Sequence, residues 1–237
     1  MRYRFLLFDL DGTLVDSLRD LTVAVNAARA RVGLAGLSEE TVRTFVGDGL
    51  AVLLARSVPA DEIAAARESF LAHYAIHLLD HTRPYAGVPE MLAAVTGAGC
   101  RAAVVTNKPL PFAQRILEGT ELARYFPVVV SGEGPAGRKP APQPFQTALA
   151  GLGGSREAAL VIGDGPADVQ GARAAGLPVC GVLYGLGRPE EMRRLKPAYL
   201  ISAPEELFPL LSSSVPGAEA RRAGRPSLRS PPLNTGG

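Results

Sequence analysis

The sequence predicts an α/β protein: a doubly wound parallel sheet with a Rossmann-like core and an inserted α-helical cap domain. Short apolar runs without polar alternation are typical of parallel strands that are buried on both faces. Helical patterns separate most of these runs, as in repeated β-α units. The interval between the first two runs is far longer than the dozen or so residues that a crossover needs. That interval therefore indicates an inserted domain.

The core elements follow from apolar runs and from helix boundaries. Pro89, Pro142 and Pro166 stand where three helices would begin, and Gly176 follows the last of them. The predicted strands are 4–8, 101–105, 128–131, 159–162, 179–183 and, more weakly, 198–201. The predicted core helices are 89–96, 110–118, 142–152 and 166–175.

The long interval reads mostly as helix, which predicts the cap. Ser17 and Ser38 are candidate N-caps. The predicted cap helices are 17–32, 38–50, 51–57 and 61–79. We expect residues 1–15 and 84–211 to form the core and residues 16–83 to form the cap. The Ser/Pro/Gly/Arg-rich segment 212–237 buries too little apolar surface to offset its ordering entropy, so we expect a disordered tail.

The composition excludes several classes of protein. Apolar residues make up 47% of the chain, charged residues 20%, and the net charge is +2, with the positive excess in the tail. We therefore expect no nucleic-acid partner. No apolar stretch approaches the length of a membrane span, and two cysteines make no disulfide framework. We expect a cytoplasmic protein without a membrane partner, as a monomer or homodimer.

Asp9 and Asp11 are the most informative residues. They follow the first predicted strand two positions apart, so their side chains would converge on one spot beyond the sheet. Two neighbouring acids are costly unless they bind a cation, share a proton or do chemistry. A turn that happens to use Asp and Gly is the alternative.

Further polar residues follow the other predicted strands, at the edge where ligands of such sheets bind. They are Thr106, Asn107, Lys139, Asp164 and Asp168. Carboxylate oxygens suit Mg²⁺, while a hydroxyl, an amide and a lysine can bind phosphoryl oxygens. The set favours phosphate chemistry with Mg²⁺.

Four motifs resemble, in order, those of the haloacid dehalogenase-like hydrolase superfamily, and within it the branch of bacterial phosphoglycolate phosphatases. The motifs are Asp-Leu-Asp-Gly-Thr at 9–13, Val-Val-Thr-Asn-Lys at 104–108, Lys-Pro at 139–140 and Val-Ile-Gly-Asp-Gly-Pro-Ala-Asp at 161–168. The resemblance implies that Asp9 is a nucleophile that forms an aspartyl-phosphate. It also implies that Asp11 is the general acid and base.

The resemblance assigns the remaining site residues as well. Thr106 and Lys139 would hold the phosphoryl group. Mg²⁺ would be bound by Asp9, the Asp11 carbonyl and Asp164, with Asp168 orienting the metal's waters or Lys139. The remaining substrate-binding candidates are Gly12, Asn107 and, for a substrate carboxylate, Arg56.

Some points stay open at this stage. Gly165 stands where the family often has Ser, and Arg138 is an alternative cation to Lys139. We expect a small phosphorylated metabolite as the partner, and 2-phosphoglycolate is the best single guess for this substrate. The alternatives are another capped phosphatase acting on a sugar phosphate, nucleotide or pyrophosphate, a β-phosphoglucomutase-like activity, and a non-catalytic binding protein.

Overall fold

The core is a six-stranded sheet whose strand pairs are all parallel. The protein is described here by a computed structural model, which describes residues 1–212. The strands are β1 Phe5–Phe8, β2 Val15–Asp16, β3 Arg83–Pro84, β4 Arg101–Thr106, β5 Val128–Ser131, β6 Ala159–Gly163, β7 Val179–Val182 and β8 Tyr199–Ile201. The sheet order is β5-β4-β1-β6-β7-β8, and β2 pairs separately with β3.

Helices cover both faces of this sheet, and the predicted fold class is confirmed. Along β1, Leu6 and Phe8 pack into one apolar cluster and Leu7 into another, each fully buried. The helices are α1 Leu18–Arg31, α2 Glu39–Arg43, α3 Leu50–Ser57, α4 Ile63–His77, α5 Val88–Gly97, α6 Leu110–Gly119, α7 Gln143–Gly151, α8 Pro166–Ala174, α9 Pro189–Arg194 and α10 Leu207–Ser212.

The register of the central strands fixes where the site lies. Phe8, the last residue of β1, stands beside Val104 of β4 and Ile162 of β6. The residues that follow these three strands therefore emerge at one edge of the sheet.

Helices α1 to α4 lie between β2 and β3, which form the connection between cap and core. The two short strands pair antiparallel, with Val15 opposite Pro84 and Asp16 opposite Arg83. Buried Asp20 then ties α1 to the exit segment, because its carboxylate accepts hydrogen bonds from His81 N, Thr82 N and Thr82 Oγ1. The division into core 1–15 and 84–211 and cap 16–83 stays a prediction, with its boundaries in this strand pair.

The predicted helix 38–50 is wrong in its second half. α2 ends at Arg43, and a loop runs to Gly49. Gly47 and Gly49 have φ angles of 116° and 85°, a left-handed conformation that cannot continue a helix. The loop instead lies over the sheet edge, where Gly47 O accepts a hydrogen bond from Asn107 Nδ2.

The two candidate N-caps have different outcomes. Ser38 Oγ accepts a hydrogen bond from Thr41 N, so this cap is confirmed. Ser17 precedes α1 but makes no capping bond. Its hydroxyl donates to Asp11 Oδ1 at 2.5 Å instead, so the predicted capping role of Ser17 is wrong.

The remaining expectations concern the tail, membranes and cysteines. The predicted disordered tail 212–237 lies outside the described residues, apart from Ser212 at the end of α10. Across residues 1–212, no helix combines the length and apolar character that a bilayer crossing requires. Cys100 and Cys180 are buried and not joined in a disulfide.

Candidate active site

Three buried carboxylates meet at the carboxyl edge of the sheet. Asp9 follows β1, Asp164 follows β6, and Asp168 lies in the first turn of α8. One oxygen from each lies within 4.8 Å of the others. The β1 and β6 strand ends thus bring together acids that are far apart in sequence.

The Asp9 carboxylate has one occupied and one open oxygen. Its Oδ1 accepts from Leu10 N and contacts Lys139 Nζ, both at 2.7 Å. No hydrogen bond reaches its Oδ2 from residues 1–212. Burial and then the Asp168 carboxylate raise the pKa of Asp9 well above its usual value, although Lys139 opposes this. A second cation at this carboxylate would favour its charged form.

Lys139 is the fixed cation of the carboxylate group. Its Nζ lies 2.7 Å from Asp9 Oδ1 and 2.7 Å from Asp168 Oδ1, and the residue is 2% exposed. Burial alone would lower the pKa of Lys139, but the Asp168 and Asp9 carboxylates outweigh it and raise that pKa. Arg138, the alternative cation, is exposed. The geometry therefore favours Lys139 over Arg138.

Asp164 is held by backbone and side-chain donors. Thr13 Oγ1 donates to its Oδ1 at 3.1 Å, and Leu186 N and Gly187 N donate to its Oδ2 at 3.0 and 2.8 Å. Burial and the Asp168 carboxylate raise the pKa of Asp164 to about 6. The donors fix the direction of a carboxylate that remains electrostatically unfavourable without a cation.

Gly12 provides the space that Asp164 occupies. A Cβ at Gly12 would lie 2.1 Å from Asp164 Oδ2, and the φ angle of 85° disfavours any other residue. The sequence placed Gly12 among the substrate-binding candidates. In the structure, Gly12 lets the first strand's turn approach the Asp164 carboxylate.

Asp168 links Lys139 to the turn that begins α8. Its Oδ1 accepts from Lys139 Nζ, and its Oδ2 accepts from Gly165 N at 3.1 Å. This second contact uses the backbone N–H of Gly165, which a Ser would also have, so the departure from the family pattern does not remove it.

The three carboxylates fit a divalent metal ion. They offer hard oxygen ligands within a short distance of one another, and the positive charge of Lys139 balances only one of their negative charges. Burial first, and then the neighbouring carboxylates, raise the pKa values of Asp9 and Asp164, and a bound cation would offset both effects. The identity of the ion belongs to the proposal below.

The Asp11 side chain points to a different set of partners. Its Oδ1 accepts from Ser17 Oγ at 2.5 Å and from Lys108 Nζ at 2.8 Å, while its Oδ2 lies 3.0 Å from Lys108 Nζ. Burial would lower the pKa of Lys108, but the Asp11 carboxylate outweighs it and raises that pKa. The carboxylate of Asp11 is therefore separate from the three-carboxylate group and is available for another role.

Thr106 and Asn107 differ in what they have available for a ligand. Thr106 Oγ1 accepts from Lys108 N at 3.1 Å, which leaves its hydroxyl hydrogen for a ligand. Asn107 Nδ2 donates to Gly47 O and Lys139 O at 2.9 and 3.1 Å, and its Oδ1 accepts from Lys139 N. Backbone oxygens therefore take both side-chain amide hydrogens of Asn107, and its role in binding the phosphate stays a prediction. Asn107 joins the cap loop to the Lys139 segment.

Two cavities adjoin Asp9 and Asp11. The inner cavity, about 50 Å³, lies between the cap helices and the segment after β4. The outer cavity, about 430 Å³, lies between the cap loop and the segments that follow β6 and β7. Arg56 lines the outer cavity, is 40% exposed in its side chain and pairs with Asp48 at 2.7 Å. Asp9, Lys139, Asp164 and Asp168 line this outer cavity as well, whereas Arg56 is not among the residues that line the inner cavity.

Sequence reasoning gave no role in the site to four of its residues: Thr13, Ser17, Tyr74 and Lys108. Thr13 and Lys108 lie inside motifs already singled out, so their position was a usable signal. Ser17 was assigned to helix capping. Tyr74 is in the cap helix α4, far from every motif, and only the folded chain brings it to the inner cavity.

Comparisons with known proteins agree with this geometry. The family model described as "Haloacid dehalogenase-like hydrolase" matches residues 6–182. A phosphoglycolate phosphatase of Rhodospirillum rubrum is 42% identical, with 77% of this chain and 80% of that protein covered. An N-acetylmuramic acid 6-phosphate phosphatase of Pseudomonas aeruginosa is 35% identical, with 91% and 97% covered.

A solved structure shows the same fold. It is described as a predicted phosphoglycolate phosphatase from Haemophilus somnus and superposes with a TM-score of 0.84 at 31% identity, covering 89% of this chain and 98% of that one. The resemblance drawn from the four motifs is confirmed. The chain belongs to the haloacid dehalogenase-like hydrolase family.

Proposed function

We propose that this protein is a Mg²⁺-dependent phosphomonoester hydrolase that acts through an aspartyl-phosphate and prefers 2-phosphoglycolate. The observation that carries the proposal is the Asp9 carboxylate. Its Oδ1 is fixed by Leu10 N and Lys139, its Oδ2 accepts no hydrogen bond from the described residues 1–212, and two further carboxylates lie beside it. A fixed carboxylate with a free oxygen next to a cation-binding group is suited to attack a phosphorus atom.

In the first step, Asp9 Oδ2 attacks the phosphorus and the bond to the leaving oxygen breaks. The leaving oxygen takes a proton from Asp11, whose carboxyl is positioned by Ser17 and Lys108. Asp9 Oδ2 is then bonded to phosphorus. The Thr106 hydroxyl and the Lys139 ammonium bind the phosphoryl oxygens, where negative charge accumulates.

In the second step, a water attacks the phosphorus and gives a proton to Asp11. The bond between phosphorus and Asp9 Oδ2 breaks, which restores the carboxylate and releases inorganic phosphate. Mg²⁺, bound by Asp9, the Asp11 carbonyl and Asp164, would supply positive charge to the phosphoryl oxygens during both steps. Asp168 keeps Lys139 in place.

The size of the inner cavity supports a small leaving group. A site needs about 10–15 Å³ for each water that it holds, so about 50 Å³ has room for roughly four. A two-carbon acid fits this space, whereas an amino sugar would need the outer cavity. The names of the relatives include both kinds of substrate. The small volume of the inner cavity supports 2-phosphoglycolate over the sugar phosphate.

Phosphate release tests the proposal. We expect Mg²⁺-dependent hydrolysis of 2-phosphoglycolate at a higher kcat/KM than of N-acetylmuramic acid 6-phosphate. The Asp9→Asn variant should lose at least about 10³-fold in kcat, which corresponds to about 4 kcal/mol of transition-state stabilisation. Incubation of the native protein with a radiolabelled substrate, followed by acid quenching, should trap label on Asp9.

Three outcomes would contradict parts of this assignment. If Asp9→Asn turned over substrate as fast as the native protein, the assignment of Asp9 as the nucleophile would be wrong. If the protein preferred the sugar phosphate, the substrate assignment would be wrong, and the outer cavity would be the binding site for the leaving group. Binding of phosphate esters without hydrolysis, in a folded and Mg²⁺-loaded protein, would favour the non-catalytic alternative.

A further inference from the structure

We propose that Lys108 and Tyr74 bind an anionic group on the leaving alcohol, a carboxylate next to the ester carbon, and so determine which phosphomonoesters the enzyme accepts. The inference rests on the proposed hydrolysis and adds the recognition of the leaving group. It replaces the sequence-based expectation that Arg56 meets the substrate carboxylate.

The inner cavity offers a substrate anion one charged partner. Its walls are largely apolar, and among its lining residues, all within the described part of the chain, Lys108 is the one cation. An anion placed in an apolar cavity is unfavourable unless it pairs with a charge. An anionic leaving group that enters this cavity must therefore meet Lys108. The apolar walls are formed by Leu21, Leu50, Leu53, Phe70 and Phe112.

Lys108 is fixed and has donor capacity left. Its N–H donates to Thr106 Oγ1, and its carbonyl accepts from Ser131 Oγ at 2.8 Å, so both ends of its peptide unit are held. Its ammonium carries three hydrogens, and within residues 1–212 the Asp11 carboxylate is its hydrogen-bonded partner. At least one N–H is therefore available to a carboxylate in the cavity.

Tyr74 supplies a second, unused donor. The residue is 1% exposed, and within residues 1–212 its hydroxyl makes no hydrogen bond of good geometry, which is unfavourable for a buried hydroxyl. Lys108 Nζ lies 5.0 Å from the centre of the Tyr74 ring, on its face, without a well-oriented hydrogen bond to the hydroxyl. Burial raises the pKa of Tyr74 to about 12, so the hydroxyl keeps its proton near neutral pH. A carboxylate between the two groups would satisfy both donors.

The distance from Asp11 limits where the anionic group can lie. Asp11 gives its proton to the leaving oxygen, and Lys108 Nζ is 2.8 Å from Asp11 Oδ1. A group bound by Lys108 must therefore lie close to the leaving oxygen, as a carboxylate on the adjacent carbon does. Arg56 lies instead on the outer cavity with Asp48 as its partner.

A pair of substrates isolates this recognition. 2-Phosphoglycolate and 2-hydroxyethyl phosphate have the same chain length, and a hydroxymethyl group replaces the carboxylate in the second. The measured quantity is the ratio of their kcat/KM values. Changes at Asp11 that affect proton transfer act on both substrates, so the ratio reports on recognition of the carboxylate.

We expect the native enzyme to prefer 2-phosphoglycolate by about 10²-fold or more. Lys108→Met should reduce the ratio to near unity, because the methionine keeps the side-chain volume but not the charge. Tyr74→Phe removes only the hydroxyl and should reduce the ratio about tenfold, as expected for one hydrogen bond to a charged group. Arg56→Met is the comparison variant, for which we expect a ratio within about threefold of the native value.

The outcomes separate the inference from the proposed function. If the native enzyme prefers 2-phosphoglycolate but Lys108→Met and Tyr74→Phe keep that ratio, the inference is wrong and the proposed function stands. A collapse of the ratio in Arg56→Met alone would return the role to Arg56. Hydrolysis of neither ester by the native protein would overturn the proposed function itself. Should Lys108→Met fail to fold by circular dichroism, Lys108→Gln and Tyr74→Phe carry the same test.

Discussion

Replacing Lys139 with methionine should destabilise the metal-free protein far more than the loss of an ordinary lysine. The Lys139 ammonium is 2% exposed and lies 2.7 Å from both Asp9 Oδ1 and Asp168 Oδ1. Methionine keeps most of the apolar side-chain volume but leaves the three carboxylates without a cation. Removal of one partner from a buried ion pair costs about 3–5 kcal/mol.

The assay is urea denaturation at pH 7 in the presence of EDTA. Lys139→Met should lower the free energy of unfolding by about 3–5 kcal/mol at an unchanged denaturant slope. The control is Arg67→Met, which removes an exposed cation of α4 and should change the free energy of unfolding by no more than about 0.5 kcal/mol. Adding Asp168→Asn to Lys139→Met should restore part of the loss, because one of the uncompensated charges is removed.

Magnesium provides a second arm of the same experiment. Saturating Mg²⁺ should narrow the gap between Lys139→Met and the native protein, because binding to the folded state stabilises it and balances the carboxylates. The electrostatic reasoning would be refuted if Lys139→Met in EDTA matched the Arg67→Met control. It would also be refuted if Asp168→Asn made Lys139→Met less stable still.

Three further predictions follow from the same geometry. Gly12→Ala should weaken Mg²⁺ binding, measured by calorimetry, at least about tenfold, because the new Cβ would meet the Asp164 carboxylate. The control is Gly33→Ala, at a position with the same left-handed backbone, where the new Cβ would have no atom within 4 Å. This control should lower stability by only about 1–2 kcal/mol and leave Mg²⁺ affinity unchanged. Asp20→Ala leaves buried N–H groups of the cap exit segment unpaired and should lower stability by about 3 kcal/mol or more, against no measurable change for exposed Asp61→Ala. Burial raises the pKa of Asp164 to about 6, so the free energy of unfolding of the metal-free protein should fall by about 3 kcal/mol as the pH rises from 4 through 6. The stabilisation by Mg²⁺ should therefore grow over this range. An increase in melting temperature on adding Mg²⁺ that is constant or falls with pH would contradict this prediction.

Local patterns predicted most of the core. All six predicted strands of the sheet are present, and the predicted core helices agree within a residue or two. Buried parallel strands have strong signals because both of their faces must be apolar. The cap loop 44–49 was harder, since the residues around Val42 and Leu50 fit a helix and only the two glycines argue against one.

The candidate site divides in the same way. Asp9, Asp164, Asp168 and Lys139 lie in short motifs at strand ends, and topology alone brings such positions to one edge of the sheet. The direction of each side chain was not available from the motifs. Asn107 joins the cap loop to the Lys139 segment, which depends on a contact between parts of the chain that the sequence does not relate.

By itself, the sequence determined the fold class and the gathering of acidic groups at one edge, because these follow from periodicity and from the residues at strand ends. The family followed from the resemblance of the four motifs to those of a known family. Only the tertiary structure decided that Lys108 pairs with Asp11 and that the Tyr74 hydroxyl, which makes no hydrogen bond within residues 1–212, belongs to a residue lining the same cavity. The physical reason is that both features are contacts between side chains from separate segments of the chain. Such contacts join residues distant along the chain, and no local pattern records them.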